Sequence, residues 1–295
     1  MKAQQLEGLV IAHLGQGIAV ESEGRIVLCQ TRRKLDTPAV GDKVLWQLCA
    51  PEQGRIEAIL PRRSLLTRPS RNGKIRPVAA NIDTVFVVFA LEPYCDFLLI
   101  DQYLAVCENR GIEARLIYNK VDLEQAESLD NELTVYQALG YSIYRVSAVT
   151  EGGLGSLKQI LKNQSSLLTG QSGVGKSSLT NALIPDKDLK TNTLSAMTKH
   201  GRHTTTAATL YHLPEGGDLI DSPGVAIFGL ANLSERELAH GFREFQPLLG
   251  HCRFNDCRHV KDKSCAVRAA AENNEISMNR YQRFLKLREK MPLLY

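Results

Sequence analysis

Gly170-Gln171-Ser172-Gly173-Val174-Gly175-Lys176-Ser177 is the stretch on which the reading of this chain turns. Glycines at this spacing, followed by a lysine and a hydroxyl residue, let backbone N–H groups turn inward at the start of a helix, where they meet phosphate oxygens. The flanks suit that reading. Ser166-Leu167-Leu168-Thr169 reads as a strand entering the loop, and Lys176 to Leu183 as the helix leaving it. Lys176 is expected to reach the β- and γ-phosphates and the Ser177 hydroxyl to bind Mg²⁺, with Ser178 beside it at the phosphates. A nucleoside triphosphate is the implied ligand.

Which nucleotide is set by Asn119-Lys120-Val121-Asp122, roughly fifty residues before the loop. The Asp122 carboxylate can accept from both the guanine ring N–H and the exocyclic amine. Adenine offers no such donor pair, and stranding a buried charge costs on the order of several kcal/mol. The Lys120 stem is expected over the purine ring, with Asn119 tying the loop back. Ser147-Ala148 ends the next strand and is expected to give a backbone N–H to guanine O6.

Two further segments complete the site. Asp221-Ser222-Pro223-Gly224 follows the strand Asp218-Leu219-Ile220, so Asp221 is expected to hold Mg²⁺ through water and the Gly224 amide to sense the γ-phosphate. Between that segment and the phosphate loop lies Arg202-His203-Thr204-Thr205-Thr206, where one threonine, with Thr204 and Thr205 counted as nucleotide contacts, completes the Mg²⁺ shell. The residue after Gly224 is Val225, which cannot polarise water. His203 is therefore the candidate catalytic group for placing the attacking water.

All these elements are present in rotated order. The nucleotide-binding sheet has been cut and rejoined, with residues 149–165 linking its former ends. The segment after Gly224 now runs directly into the C-terminal residues, so hydrolysis is expected to move residues 231–295.

The 295 residues exceed one small domain, and three are expected: 1–68, 69–231 and 232–295. Residues 6 to about 66 read as five short strands with charged or Gly-bearing turns, an OB-like β-barrel of a kind often used to grip oligonucleotides. Arg32-Arg33-Lys34, Arg62-Arg63 and Arg68 are its candidate RNA contacts, since a net charge of only +4 leaves any nucleic-acid affinity to local clusters. Residues 69–81 read as a polar linker. Ile82 to Ala90 then reads as a buried strand, and strands alternating with helices through Leu183 predict a parallel α/β sheet. Leu98 to Asn109 and most of Leu123 to Leu139 are predicted helices.

The last segment is predicted to be mainly helical. Ser234 and Glu237 form a capping box. Cys252, Cys257, His259 and Cys265 offer three thiolates and an imidazole, the set of a closed structural zinc site, with His251 as an alternative ligand. The other four of the seven cysteines read as small buried hydrophobes. Ile276 to Lys290 reads as an amphipathic helix with Tyr281, Phe284, Leu285 and Arg288 on one face and Arg280, Arg283, Lys286 and Lys290 around it, either docked or available to RNA. No apolar run approaches the ~20 residues of a membrane span, and Met1 to Glu7 lacks a signal-peptide core, so a cytoplasmic protein with no membrane contact is expected.

The rotated motif order, Gly201-Arg202-His203-Thr204-Thr205-Thr206, the barrel in front and the Cys-Cys-His-Cys cluster behind make the chain resemble the bacterial ribosome small subunit-dependent GTPases of the YjeQ/YloQ type. The resemblance covers essentially the whole chain. It implies an OB-fold, a circularly permuted P-loop GTPase domain and a zinc-binding domain. It implies hydrolysis of GTP to GDP and phosphate with Mg²⁺, late maturation of the 30S subunit, contact with 16S rRNA, stimulation by that subunit and a role for His203 in hydrolysis. A monomer is expected. Val225 departs from the aromatic residue of many members, and the barrel begins too near Met1 for the N-terminal arm of some relatives. A nucleotide-gated RNA-binding adaptor with incidental hydrolysis is the alternative, and an ATP-using kinase or transferase is opposed by Asp122.

Overall fold

The computed structural model describes residues 5–51, 53–69, 75–123, 129–150, 152–187, 208–221 and 233–291. The chain folds into two compact units, each drawing on several stretches: Met1–Thr84, Glu151–Thr169 and Lys176–Ile227 in the first, Val85–Thr150, Gly170–Gly175 and Phe228–Tyr295 in the second.

The first unit is built on a closed barrel of β1 (Leu6–Leu14), β2 (Gly17–Ser22), β3 (Arg25–Thr31), β4 (Lys43–Ala50) and β5 (Gln53–Ile59). The pairings run β1-β2-β3-β5-β4, and β4 returns to β1 through Leu6↔Trp46 to Leu9↔Lys43. Only the β3–β5 pair is parallel. Alternation along these strands turns Val10, Ile18, Val20, Cys29, Val44, Trp46 and Ile56 inward as one core. Closure leaves the barrel no free edge where its strands meet. Beyond the closure β1 extends to β12 (Thr209–His212) at Ala12↔Thr209. Strand β12 runs antiparallel to β13 (Asp218–Asp221), which lies parallel to β11 (Ser165–Gly170). Helices α3 (Gly155–Leu161) and α4 (Lys176–Leu183) bury Leu157, Leu161, Leu179 and Leu183.

Two expectations need correction in this unit. Residues 75–80 are not linker: β7 (Ile75–Ala80) pairs antiparallel with β6 (Leu65–Pro69). Pro77 hid the strand, but it sits where the β6–β7 register shifts at a bulge, a place in a ribbon that tolerates proline. Arg62, the first of the arginines after the barrel, is also committed to a partner inside the protein. Arg62 donates from Nε and Nη2 to the two oxygens of fully buried Asp42, at 2.8 and 2.7 Å. Arg63 bonds Asp83 at 2.5 Å and the Asn81 carbonyl at 3.2 Å. Forked guanidinium–carboxylate pairing fixes Arg62 to the loop beside it, while the Arg63 side chain stays largely exposed. Arg33 and Lys34 stay exposed.

In the second unit β8 (Thr84–Phe89), buried at all six positions, lies beside β9 (Glu113–Tyr118), and β10 (Ile143–Arg145) runs parallel to β9. Helix α1 (Phe97–Arg110) is capped by Asp96, whose carboxylate accepts from Leu99 N. Helix α2 is observed over Asp130–Ala138, and residues 124–128 of the predicted helix lie outside the described residues. The C-terminal helices α5 (Glu235–His240), α6 (Ala266–Glu272) and α7 (Met278–Glu289) complete the unit. The capping box forms: Ser234 Oγ accepts from Glu237 N at 3.2 Å, and Glu237 Oε2 accepts from Ser234 N at 2.7 Å.

Helix α7 docks through apolar and ionic contacts together. Phe242, Phe245, Tyr281 and Phe284 pack ring against ring. Next to them Arg280 is 1% exposed and donates to Asp101 of α1 and to Glu244. Arg283 donates to the other Asp101 oxygen at 2.5 Å and to Glu132 of α2 at 3.1 Å, while the Tyr136 hydroxyl donates to Asp101 at 2.7 Å. Burial pushes the Asp101 carboxyl up, against the pull of Arg280 and Arg283. Arg280 and Arg283 therefore do not form the basic rim read from the sequence. They belong to the docking face, and Leu287, not Leu285, is the fully buried leucine.

Candidate functional site

Strand β9 ends in Asn119-Lys120-Val121-Asp122. Asn119 is 1% exposed; its backbone N–H bonds the Phe89 carbonyl at 2.9 Å, and its Nδ2 donates to the Val174 carbonyl at 2.9 Å. The segment expected to read guanine is thus fastened directly onto the glycine loop, although the loop comes later in the chain. Two glycines make this possible. Gly175 has φ +92°, and a Cβ there would stand 2.3 Å from Asn119 Nδ2; at Gly170 (φ +137°) it would stand 2.0 Å from the Val88 carbonyl oxygen. No other residue fits either place. Val174 between them is fully buried, while Gln171, Ser172 and Gly173 lie toward the surface.

Lys120 takes φ +62° and donates from Nζ to the Glu92 carbonyl at 2.9 Å, which lays its aliphatic stem beside the glycine loop. Val121 N bonds the Val146 carbonyl at 3.3 Å, bringing the end of β9 to the segment after β10. There Ser147, buried, donates from Oγ to Asp122 Oδ1 at 2.5 Å and accepts from Val149 N at 3.3 Å. Asp122 is otherwise exposed, and Ala148 is half-buried. One carboxylate oxygen is held and the group is aimed, which suits a reader of paired purine donors. These residues and Gly170–Gly175 are all in the second unit.

In the first unit, the chain leaving Gly175 enters α4 at Lys176, with Ser177 and Ser178 exposed on its first turn. Burial pushes the Lys176 ammonium down from its ordinary value, and the Asp221 carboxylate at the end of β13 partly restores it. Asp221 thus lies within electrostatic reach of the phosphate-loop lysine. Its Oδ2 accepts from Lys187 Nζ at 2.6 Å, so the carboxylate expected to hold Mg²⁺ already pairs with a cation. His203, Thr204, Thr205, Thr206, Gly224 and Val225 lie outside the described residues.

The cysteine cluster is assembled in the second unit. One ligand atom from each of Cys252, Cys257, His259 and Cys265 lies within 4.8 Å of the others. His251 is exposed and is not in this group. The loop is pinned from three sides. The Tyr281 hydroxyl of α7 donates to the His259 carbonyl at 2.9 Å, Cys265 caps α6 by accepting from Arg268 N at 3.4 Å, and Asp262 accepts from Arg258 N and Val260 N. Arg258 and Arg288 both bond Glu235 of α5; these bonds, Arg258's first, hold the Glu235 carboxyl down at about 2 despite partial burial. Burial pushes the His259 imidazole down, keeping it neutral with a lone pair to give, and pushes the Cys257 thiol up to about 12. Two half-buried sulfurs, the buried Cys265 sulfur and an imidazole at this spacing can hold a metal ion, whose charge would favour the thiolates.

A sequence profile of the RsgA GTPase family matches residues 59–231. This chain belongs to the RsgA GTPase family. The small ribosomal subunit biogenesis GTPase RsgA of Hahella chejuensis is 45% identical over 299 residues, spanning 99% of this chain and 86% of that protein. The protein of the same name from Pseudomonas aeruginosa is 45% identical over 289 residues, 97% of this chain and 85% of that one. Among solved structures, YjeQ from Thermotoga maritima superposes with a TM-score of 0.76 at 34% identity, covering 96% of this chain and 97% of that one. YloQ, a circularly permuted GTPase, gives 0.73 at 26% identity, covering 98% and 97%. The barrel, the central GTPase domain and the helical C-terminal region with its Cys₃His cluster are thus the architecture of the RsgA GTPase family.

Two groups of residues in this RsgA-family chain escaped the sequence reading. Lys187 lies in Pro185-Asp186-Lys187, which reads as a polar turn, and nothing local signals its carboxylate partner. Asp101 sits inside a predicted amphipathic helix among apolar residues. That placement was a signal, because a lone carboxylate on a buried face implies a cationic partner.

Proposed function

We propose that this chain hydrolyses GTP to GDP and phosphate while bound to the small ribosomal subunit late in its maturation, and that the subunit stimulates the reaction. The GTPase class and the role in 30S maturation follow from the family and the names of its members. The observation that carries the reading is the Asn119–Val174 bond, which joins a guanine reader to a phosphate loop. Asp122 selects guanine, Lys120 covers the ring, and Ser147 and Ala148 close its edge. The Gly170–Gly175 amides and Lys176 neutralise the phosphates. Ser177 and Asp221 would hold Mg²⁺ with one of Thr204, Thr205 and Thr206, supplying charge stabilisation at the β- and γ-phosphates. His203 places the attacking water.

Zinc in the Cys₃His cluster fits the geometry. Zn–S and Zn–N bonds of about 2.3 and 2.05 Å at tetrahedral angles give S···N edges of about 3.6 Å. Both the Cys252 and Cys265 sulfurs lie 3.5 Å from His259 Nδ1. Four protein ligands leave no open position, so the metal's role is structural. Contact with 16S rRNA is supported by exposed Arg33 and Lys34 on the barrel and by Phe254, 46% exposed with the Arg253 guanidinium 5.4 Å from its ring centre. A basic group paired with an aromatic face suits unstacked bases. Domains at 1–68, 69–231 and 232–295, a monomeric state and a cytoplasmic location complete the proposal. No helix among the described residues is long and apolar enough to cross a membrane.

GTP turnover titrated with purified small ribosomal subunits tests it. A rate that rises and saturates with subunit concentration is expected. A flat rate would mean a nucleotide-gated adaptor instead. Turnover of His203→Ala at saturating GTP tests the histidine, and an unchanged rate would remove it from the mechanism.

A further inference from the structure

Asp221 carries two features that its expected metal role leaves unexplained. Its Oδ2 takes a 2.6 Å bond from Lys187 Nζ, and the two side chains are only 13% and 16% exposed. The same ammonium stands 5.6 Å from the centre of the Tyr211 ring on β12. Lys187 is set just past α4, where its backbone N–H bonds the Ile184 carbonyl at 3.1 Å. The helix that starts with the phosphate-loop lysine therefore ends by sending a second lysine back to the carboxylate at the tip of β13. An aromatic face and a carboxylate together make a seat for an ammonium group.

That seat conflicts with a divalent ion. Mg²⁺ takes near-octahedral oxygen and water ligands and keeps its waters tightly. An ammonium bonded to the same carboxylate at 2.6 Å occupies an acceptor position that such a water needs, and adds like charge beside the metal. The ammonium takes one of the two carboxylate oxygens, so the two cations compete for Asp221 in this arrangement.

We propose that Lys187 is a positioning residue that occupies Asp221 when Mg·GTP is absent and must release it when the metal arrives. Lys187 then sets the Mg²⁺ concentration at which the nucleotide site becomes complete. The Tyr211 ring, 5.6 Å from the ammonium, offers it a second seat beside the carboxylate, so release is a short swing and the exchange is reversible. The inference rests on the reading of Asp221 as the magnesium carboxylate.

The test is a Mg²⁺ titration of the full-length protein with a fluorescent, non-hydrolysable GTP analogue, repeated for Lys187→Met, Lys187→Arg and Asp221→Asn. Direct Mn²⁺ binding in the presence of the analogue is followed by electron paramagnetic resonance. Methionine keeps the stem beside Tyr211 and removes the charge. Its half-saturating Mg²⁺ is expected to fall about tenfold, the scale of one charge-assisted hydrogen bond, and Mn²⁺ should bind correspondingly tighter. Arginine keeps the cation and should stay near the parent value. Unchanged metal dependence in Lys187→Met, while Asp221→Asn weakens it, would overturn the role of Lys187 and leave Asp221 as the metal carboxylate. Metal dependence untouched by Asp221→Asn would overturn the reading of Asp221 and the inference with it.

Discussion

Substituting Asp101 by alanine removes the acceptor shared by two guanidinium groups and a phenol. Asp101 is fully buried and the Arg280 side chain is 1% exposed, so neither can fall back on water. Removing one partner of a buried ion pair costs ~3–5 kcal/mol, and stranding the Tyr136 hydroxyl would add ~1–3 kcal/mol if the effects were independent. They are not, because all four groups share one network. Arg280 also keeps its paired bonds to Glu244, and Arg283 keeps Glu132, which is 25% exposed. A loss of about 3–4 kcal/mol is therefore expected, lowering the melting temperature by roughly 6–16 °C at ~2–4 °C per kcal/mol. Replacing Asp101, Arg280, Glu244 and Tyr136 together by leucine, methionine, methionine and phenylalanine, with Arg283 keeping Glu132, should recover most of it, since apolar substitution of a whole buried network is often neutral or stabilising. Urea unfolding should be followed by helical circular dichroism and by metal release to a chromophoric chelator. The single tryptophan, Trp46, lies in the barrel and reports the other unit. A loss below about 1 kcal/mol would refute the claim that this cluster holds α7 against α1 and α2. If the claim stands, any nucleotide-driven displacement of residues 233–291 carries α1 and α2 with it.

Gly175→Ala should reduce GDP-analogue affinity by about a hundredfold or more, because the new Cβ would meet Asn119 Nδ2 at 2.3 Å in a left-handed backbone position; fluorescence titration reads this. Stripping the metal with a strong chelator, or Cys252→Ser, should melt helices of the C-terminal residues while the Trp46 signal of the barrel persists, as seen by circular dichroism beside fluorescence. His212 bridges Asp218 at 2.6 Å and Glu21 at 2.5 Å, and the Asp218 bond leads the effects that raise its pKa to about 9 from the ordinary 6.5. A raised histidine stabilises fully below 6.5 and loses that contribution as pH climbs through 9. Trp46-monitored stability should therefore decline across that window, and His212→Gln should be less stable at pH 6 and flatter above it.

Legibility in the sequence followed the range of the interaction. The glycine loop and Asn119–Asp122 stood out because each is a run of a few adjacent residues, the fold joins them through the Asn119–Val174 bond, and the boundaries of α4 matched to the residue. The barrel was readable because β-branched alternation repeats within each strand. Strand β7 was missed because proline argues locally against a strand, and its partner β6 was not read as a strand either. Arg280 was misread because a charge looks solvated until its partner is known, and Asp101 lies 179 residues away. Lys187 failed for the same reason, its acceptor being 34 residues distant. Cys252, Cys257, His259 and Cys265 stood out by residue type alone, and the fold brings one ligand atom of each within 4.8 Å of the others.

The most direct test of the account is the base preference of Asp122→Asn. The substitution exchanges an acceptor for a donor at the purine edge while leaving the phosphate loop untouched. Competition of GDP, xanthosine diphosphate and ADP for the wild-type and substituted proteins should show GDP strongly preferred by the first and xanthosine diphosphate by the second, with ADP weak in both. A preference for GDP that survives the substitution unchanged would contradict the claim that residues 119–122, placed before the loop, read the guanine base.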